Sequence, residues 1–206
     1  MQQYLFIPKA LEKVAERDFF TRTVAWSIRV FAVLFALGAL IGWFQLWKAV
    51  FDMNGAAILG GVLFQLCFVI GAYMALHVLW LRAADVEGLT VDEYRVIPVL
   101  PLVLRMLGEM LASLALTMGL GKGLLQLFVD QTRLGDRTVS AIPGIGWEHG
   151  FLVELFGGQG GISSFINAIL HILGGAVGAV VWLVLFYLLA EAVTLLLNMA
   201  RDLKRN

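Results

Sequence analysis

Residues 53–81 read MNGAAILGGVLFQLCFVIGAYMALHVLWL and contain no Asp, Glu, Lys or Arg. A helix needs about 20 mostly apolar residues to cross the roughly 30 Å of hydrocarbon in a bilayer. This stretch is longer than that minimum and has no charge to keep it in water. It therefore predicts a membrane-spanning helix, and it decides the class of the protein.

Two further stretches have the length of a span and carry few charges. Residues 24–47 contain one charged residue, Arg29. Residues 96–121 are interrupted only by Arg105 and Glu109. Each stretch is therefore predicted to form one transmembrane helix.

A fourth stretch, residues 155–190, is uncharged but too long for one perpendicular helix. As a continuous helix it would rise about 54 Å, well beyond the hydrocarbon thickness. Residues 157–161 read GGQGG, which is typical of a loop, so we expect the helix to begin near Ser163. The predicted fold class is an all-α integral membrane protein, a single membrane domain over residues 1–206 with a four-transmembrane-helix bundle.

The composition of the whole chain agrees with this class. Hydrophobic residues make up 60% of the 206 residues and charged residues 15%, whereas soluble domains have roughly 45–50% and about 25%. Lys+Arg 15 and Asp+Glu 15 give a net charge of +0, so no positive field attracts nucleic acid. The composition therefore excludes a water-soluble domain and gives no support to nucleic-acid binding.

The distribution of Lys and Arg predicts that both termini are cytoplasmic, because cytoplasmic loops retain these residues. The side with both termini carries Lys9, Lys13, Arg17, Arg22, Arg82, Arg95, Arg201, Lys204 and Arg205, and the other side carries Lys48, Lys122, Arg133 and Arg137. Residues 1–23 mix apolar and charged side chains, which predicts a cytoplasmic interfacial helix and no cleaved signal peptide. The expected location is a plasma membrane, in particular a bacterial inner membrane.

Two blocks of the sequence match each other and indicate an internal duplication. Residues 28–31 (IRVF) align with residues 104–107 (LRML), and residues 58–61 and 172–175 both read ILGG. The alternative is chance, since helices rich in Leu, Ala and Gly align by accident. The shared arginine inside the first block and the identical second block favour duplication.

The duplication predicts two tandem helical hairpins, residues 24–89 and residues 95–205. Each hairpin crosses the membrane twice, so the copies are expected to be related by an axis along the membrane normal, as a parallel pseudo-repeat. The second hairpin would carry an extracytoplasmic insertion at about residues 122–162.

Small residues recur in the predicted spans and favour close helix packing. Lipid provides no hydrophobic force between helices, so small side chains are needed for them to approach. The positions concerned are Gly38, Gly42, Gly71, Gly174 and Gly178. We expect these residues to fit the four helices to one another, with contact to another subunit as the alternative.

Five ionisable residues form a candidate intramembrane polar cluster, namely Arg29, His77, Arg105, Glu109 and Glu191. Each costs about 2.5–3.5 kcal/mol inside a span unless it is paired or hydrated. Arg105 and Glu109 are about one helical turn apart and can pair within their own helix. The cluster could relay protons or bind an anion. The alternative is that the arginines reach lipid phosphates and that the pair only fastens helices together.

The insertion contains an apolar stripe, Trp147, Phe151 and Leu155, at a spacing of four residues. This spacing predicts a short amphipathic helix that contacts the membrane surface or a partner protein. The polar residues beside the stripe are Glu148, His149 and Glu154, which lack a fourth donor and the spacing of a metal site, so a solvated polar face is favoured.

Cofactors are not expected. His77 and His171 are predicted at opposite ends of their spans, so they cannot share one haem. Single ligation of separate cofactors is the less favoured interpretation, and no metal site is predicted.

No nucleophile elbow, phosphate-binding loop, zinc-protease helix or dinucleotide-binding motif occurs, so we do not expect an enzyme. The sequence favours a structural or accessory subunit of a larger membrane protein assembly. Its expected partners are the lipid bilayer and other membrane subunits or a second copy of the chain. A small ion or solute channel or carrier that uses the polar cluster is the alternative.

Overall fold

The computed structural model of the protein describes residues 19–53, 55–89, 98–129 and 164–205. These ranges contain four α-helices, numbered in chain order: α1 Phe19–Phe51, α2 Ala57–Glu87, α3 Val99–Gln126 and α4 Ser164–Arg205. All four helices are long and apolar enough to cross a membrane. The prediction of an all-helical protein with four possible membrane spans is therefore confirmed.

Two predicted elements lie largely outside the described residues. The proposed interfacial helix of residues 1–23 is described only from Phe19 onward, where α1 begins. Most of the insertion, including the stripe of Trp147, Phe151 and Leu155, also falls outside. Both elements stay predictions from sequence.

The connection between α1 and α2 reverses the chain within a few residues. Gly55 has a φ of 59°, a left-handed conformation that costs residues with a Cβ roughly 1–2 kcal/mol. Because the turn is tight, Arg29 near the start of α1 meets Glu87 at the end of α2. The first two helices therefore form an antiparallel hairpin.

The helices pack in the order of the chain. Substantial interfaces join α1 with α2, α2 with α3 and α3 with α4, and any contact between α1 and α4 in the described ranges is marginal. Since consecutive helices are antiparallel, the start of α1 and the end of α4 lie at the same end of the bundle. The inner helices are α2 and α3, and α1 and α4 keep broad outer faces.

The third helix, α3, is the most buried of the four and the least apolar. A core cluster forms around it from Leu46, Phe64, Ala75, Leu114, Met118, Leu125 and Ala179. Its buried hydroxyl at Thr117 donates to the carbonyl oxygen of Ser113 at 2.7 Å, so the polar group is satisfied inside the helix. Several polar residues of α3, namely Ser113, Thr117 and Gln126, are buried with it.

Glycines bring α3 and α4 into backbone contact. A Cβ added at Gly119 would lie 2.5 Å from the Cα of Gly175 and 2.8 Å from the carbonyl oxygen of His171. One added at Gly123 would lie 2.7 Å from the carbonyl oxygen of Ala168. These neighbours are backbone atoms of a helix, so they cannot rotate away, and only glycine permits this approach.

Two layers of charged residues bracket the apolar part of the bundle. We call Arg29, Arg82 and Arg105, on α1, α2 and α3, the arginine layer; at the other end lie Lys48 and Lys122. Along α1 the rise from Arg29 to Lys48 is about 28 Å, and along α3 from Arg105 to Lys122 about 25 Å. Both distances are close to the roughly 30 Å of hydrocarbon in a bilayer, which is the spacing expected of charged residues at the two ends of a membrane span.

Candidate functional site

The carboxylate of Glu109 on α3 is the centre of a polar cluster between three helices. Arg82 of α2 approaches it with two nitrogens: Nε donates to Oε2 at 2.9 Å, and Nη2 donates to Oε1. The side chains of Arg82 and Glu109 are 23% and 19% exposed. A bidentate pair of this kind is the strongest common arrangement of arginine and carboxylate.

The fourth helix joins the cluster through Tyr187. The Tyr187 hydroxyl donates to Oε1 of Glu109 at 2.6 Å. Of the roughly four acceptor positions on a carboxylate, three are then used. One side chain of α3 is thereby bonded to both neighbouring helices.

The second arginine of the cluster, Arg105, makes a different contact. Its guanidinium carbon lies 5.5 Å from the centre of the Tyr187 ring, in a cation–π arrangement. Its Nε atom is buried without a hydrogen-bond partner in the structure. Among the described residues, Glu109 accepts hydrogen bonds from Arg82 and Tyr187 and not from Arg105. The hydrogen-bonded pair of Arg105 and Glu109 that we expected within α3 is therefore not formed.

Two arginines of the arginine layer also bond carboxylates near the end of α2, at one edge of the bundle. Arg82 Nη1 donates to Asp85 Oδ2 at 2.7 Å, and Arg29 pairs with Glu87. The guanidinium of Arg29 also lies 5.9 Å from the ring centre of Trp26. The acidic side chains at this edge are more exposed than Glu109.

The structure brings only two of the five predicted cluster residues together, Arg105 and Glu109. Arg29 belongs to the arginine layer but pairs with Glu87. His77 is exposed and stacks on Tyr73 with ring centres 6.0 Å apart. Glu191 is exposed on α4. The described positions of His77 and Glu191 thus lie outside the contacts that hold Glu109.

Sequence reasoning did not select Arg82 or Tyr187 for this site. Arg82 directly follows the uncharged stretch 53–81 and was expected to lie at a cytoplasmic edge, but α2 continues to Glu87. Helical spacing between Arg82 and Asp85 was a signal that the helix extends further. No local pattern in the sequence marks Tyr187 as the partner of Glu109.

No protein-family model, curated protein or solved structure matches the chain. What the cluster does chemically therefore follows from its geometry. Its carboxylate is held by two side chains from two other helices, an arrangement that fixes α2, α3 and α4 relative to one another. Within the described residues, no three His, Cys, Asp or Glu side chains lie close enough to hold a metal ion.

The predicted packing glycines occupy different environments. A Cβ at Gly71 would lie 2.3 Å from Thr117 Oγ1 of α3, and one at Gly42 would lie 3.6 Å from Phe68 of α2. A Cβ at Gly38 would meet no atom of the structure within 4 Å. Gly174 and Gly178 are buried. Among the described contacts, α4 approaches α3 most closely at the neighbouring Gly175.

Equivalent positions of the two proposed hairpins do not make equivalent contacts. Arg105 lies over Tyr187, but its counterpart Arg29 pairs with Glu87. The alignment of residues 58–61 with residues 172–175 has an offset of 114, which makes Tyr73 the counterpart of Tyr187, and Tyr73 stacks on His77 instead. Both hairpins consist of two antiparallel helices in the same order. The register of α4 along α3, however, differs from the register of α2 along α1.

Removing the charge of Glu87 is expected to have a small effect. The Arg29–Glu87 pair has side chains that are 25% and 42% exposed, and pairs of this kind contribute less than about 1 kcal/mol. We expect Glu87→Gln to lower the free energy of unfolding in detergent by no more than that amount. A loss of several kcal/mol would show that this outer pair is as important as the inner one.

Proposed function

We propose that this protein is a structural or accessory subunit of a larger assembly of membrane proteins. The observation that carries the proposal is that Glu109 holds helices together. Its carboxylate bonds Arg82 and Tyr187 and so fastens three helices, which is a structural use of an intramembrane charge. The apolar outer faces of α1 and α4 support the proposal, because they leave long surfaces for other transmembrane helices.

The second candidate function is a small channel or carrier for an ion or solute. One observation favours it: the Arg105 side chain has a buried Nε without a hydrogen bond and no carboxylate bonded to it in the described structure. A cation in that position can hold a passing anion.

We also propose the finer points of topology. The arginine layer lies at the end that contains the start of α1 and the end of α4, so the positive-inside rule places that end in the cytoplasm. Both termini are then cytoplasmic, and the compact chain suits a bacterial inner membrane. The two hairpins derive from one duplication, after which α4 shifted along α3.

Flux measurements on purified protein in liposomes separate the two functions. A structural subunit is expected to give no ion or proton flux above that of empty liposomes. A carrier is expected to give anion flux that Arg105→Met reduces strongly and Glu191→Gln, at an exposed position of α4, leaves nearly unchanged. Flux with that mutational pattern would replace the subunit proposal by the carrier.

A further inference from the structure

The arginines of the arginine layer differ in their partners. Arg29 pairs with the carboxylate of Glu87. Arg82 bonds the carboxylate of Glu109 with two nitrogens. Arg105 has no carboxylate bonded to it among the described residues, and its Nε is buried without a hydrogen bond. An arginine inside a span needs an anionic partner or water, so Arg105 is the member of the layer whose partner the chain does not supply.

The contact with Tyr187 leaves the far edge of the Arg105 guanidinium open. Its carbon lies 5.5 Å from the centre of the Tyr187 ring, so the ring covers one flat face. The residue as a whole is partly exposed, and no described residue accepts a hydrogen bond from its two Nη atoms. Because the donors of a guanidinium lie in its plane, these atoms can donate to an anion while the ring stays against the face.

The direction of α3 turns Arg105 toward the headgroups. Cα–Cβ bonds in an α-helix tilt toward its N-terminus, and α3 begins at Val99, about 9 Å beyond Arg105. The headgroup region occupies about 5–7 Å on each side of the hydrocarbon, so the charged end of this side chain can reach lipid phosphates. Arg82, on the antiparallel α2, leans the opposite way and meets Glu109 inside the membrane.

The charged groups near Arg105 do not use its donors. On the neighbouring helices, Glu109 and Arg82 are bonded to each other. Glu191, one turn past Tyr187 on α4, is exposed and forms no ion pair with Arg105 in the described ranges. The Nη atoms of Arg105 are therefore available to an anion from outside the chain.

We propose that Arg105 binds the phosphate group of a phospholipid through its Nη atoms, at the boundary between α3 and α4. Phosphate oxygens accept charge-assisted hydrogen bonds from arginine, often two in parallel. The bilayer supplies such a group close to the depth of the arginine layer, whereas a free phosphate ion must enter from water. The site does not depend on the proposed subunit function, and the bound lipid would occupy the position in which a carrier would hold a passing anion.

Native mass spectrometry of the purified protein in detergent counts the lipids bound to each chain. The probe is phosphatidylglycerol, and its control is a neutral glycolipid with the same acyl chains and no phosphate. Arg105→Met is expected to weaken binding of phosphatidylglycerol about tenfold or more and to leave binding of the glycolipid unchanged. Arg29→Met removes an arginine of the same layer that has its own carboxylate, and it is expected to change phosphatidylglycerol binding by less than about twofold.

A second variant, Arg105→Lys, guards against a general loss of folding. It keeps the charge but not the planar fork, so its affinity for phosphatidylglycerol is expected to lie between those of the original protein and Arg105→Met. Equal weakening by Arg105→Met and Arg29→Met, or equal weakening toward the glycolipid, would overturn the proposal. Binding of inorganic phosphate that depends on Arg105, without lipid binding that depends on it, would also overturn the proposal, because the ligand would then be a free anion.

Discussion

Replacing Gly119 by leucine is expected to abolish the α3–α4 interface and to cause the largest loss of stability of any single change at this interface. The first atom of the new side chain would lie 2.5 Å from Gly175 Cα and 2.8 Å from the His171 carbonyl oxygen. Overpacking costs about 1–3 kcal/mol when side chains can adjust. Here helix backbones would have to separate, so we expect a loss above that range.

The measurement is reversible unfolding of purified protein in mixed micelles, followed by helix content. The matched control is Gly38→Leu on α1, where an added Cβ meets no described atom within 4 Å. We expect the control to unfold within about 0.5 kcal/mol of the original protein. A Gly119 variant as stable as the Gly38 variant would show that α3 and α4 do not approach at these glycines.

Removing the Glu109 carboxylate is expected to cost about 2–3 kcal/mol, since Arg82 keeps only the more exposed Asp85 as its partner and the Tyr187 hydroxyl loses its acceptor. Glu109→Ala would free Arg82 from its bidentate partner and remove the acceptor of Tyr187. The control is Glu191→Ala, because Glu191 is exposed on α4; its expected effect is within about 0.5 kcal/mol. If Glu109→Ala and Glu191→Ala lowered the free energy of unfolding equally, the bonds of Glu109 to Arg82 and Tyr187 would not stabilise the fold.

A double-mutant cycle separates the pair from the rest of the cluster. Arg82→Met with Glu109→Leu removes both charges and keeps apolar volume. The double variant is expected to be more stable than Glu109→Leu alone, because in the single variant the Arg82 guanidinium faces an apolar side chain and keeps only Asp85 as its partner. Strict additivity of the two single losses would mean that the contact between Arg82 and Glu109 contributes nothing.

The helical class and its approximate boundaries could be predicted because crossing a membrane imposes a strong constraint on local composition. The uncharged stretch 53–81 shows this, because α2 occupies Ala57–Glu87. The end of α4 was harder to predict. Past Ala190 the charged residues Glu191, Arg201 and Asp202 stand among apolar ones, a pattern that does not by itself fix where the helix ends.

The polar cluster could be predicted only in part, because partners on different helices leave no local signal. The positions of Arg105 and Glu109 inside a span showed that each needed a partner. Which partner each obtains depends on helix register, and the close contact between Gly119 and Gly175 helps to set that register. Arg82 and Tyr187 can therefore be recognised as partners of Glu109 only from the packing of α2, α3 and α4.

The proposed role in an assembly is tested most directly by the mass and content of the particle that contains this chain in its native membrane. Extraction with a membrane-solubilising polymer, which keeps the surrounding lipid, is followed by purification through a tag on the chain and native mass spectrometry. We expect particles in which other membrane polypeptides accompany this chain in a fixed ratio. Particles that contain only the 22.7 kDa chain, singly or as a pair, would contradict the subunit function.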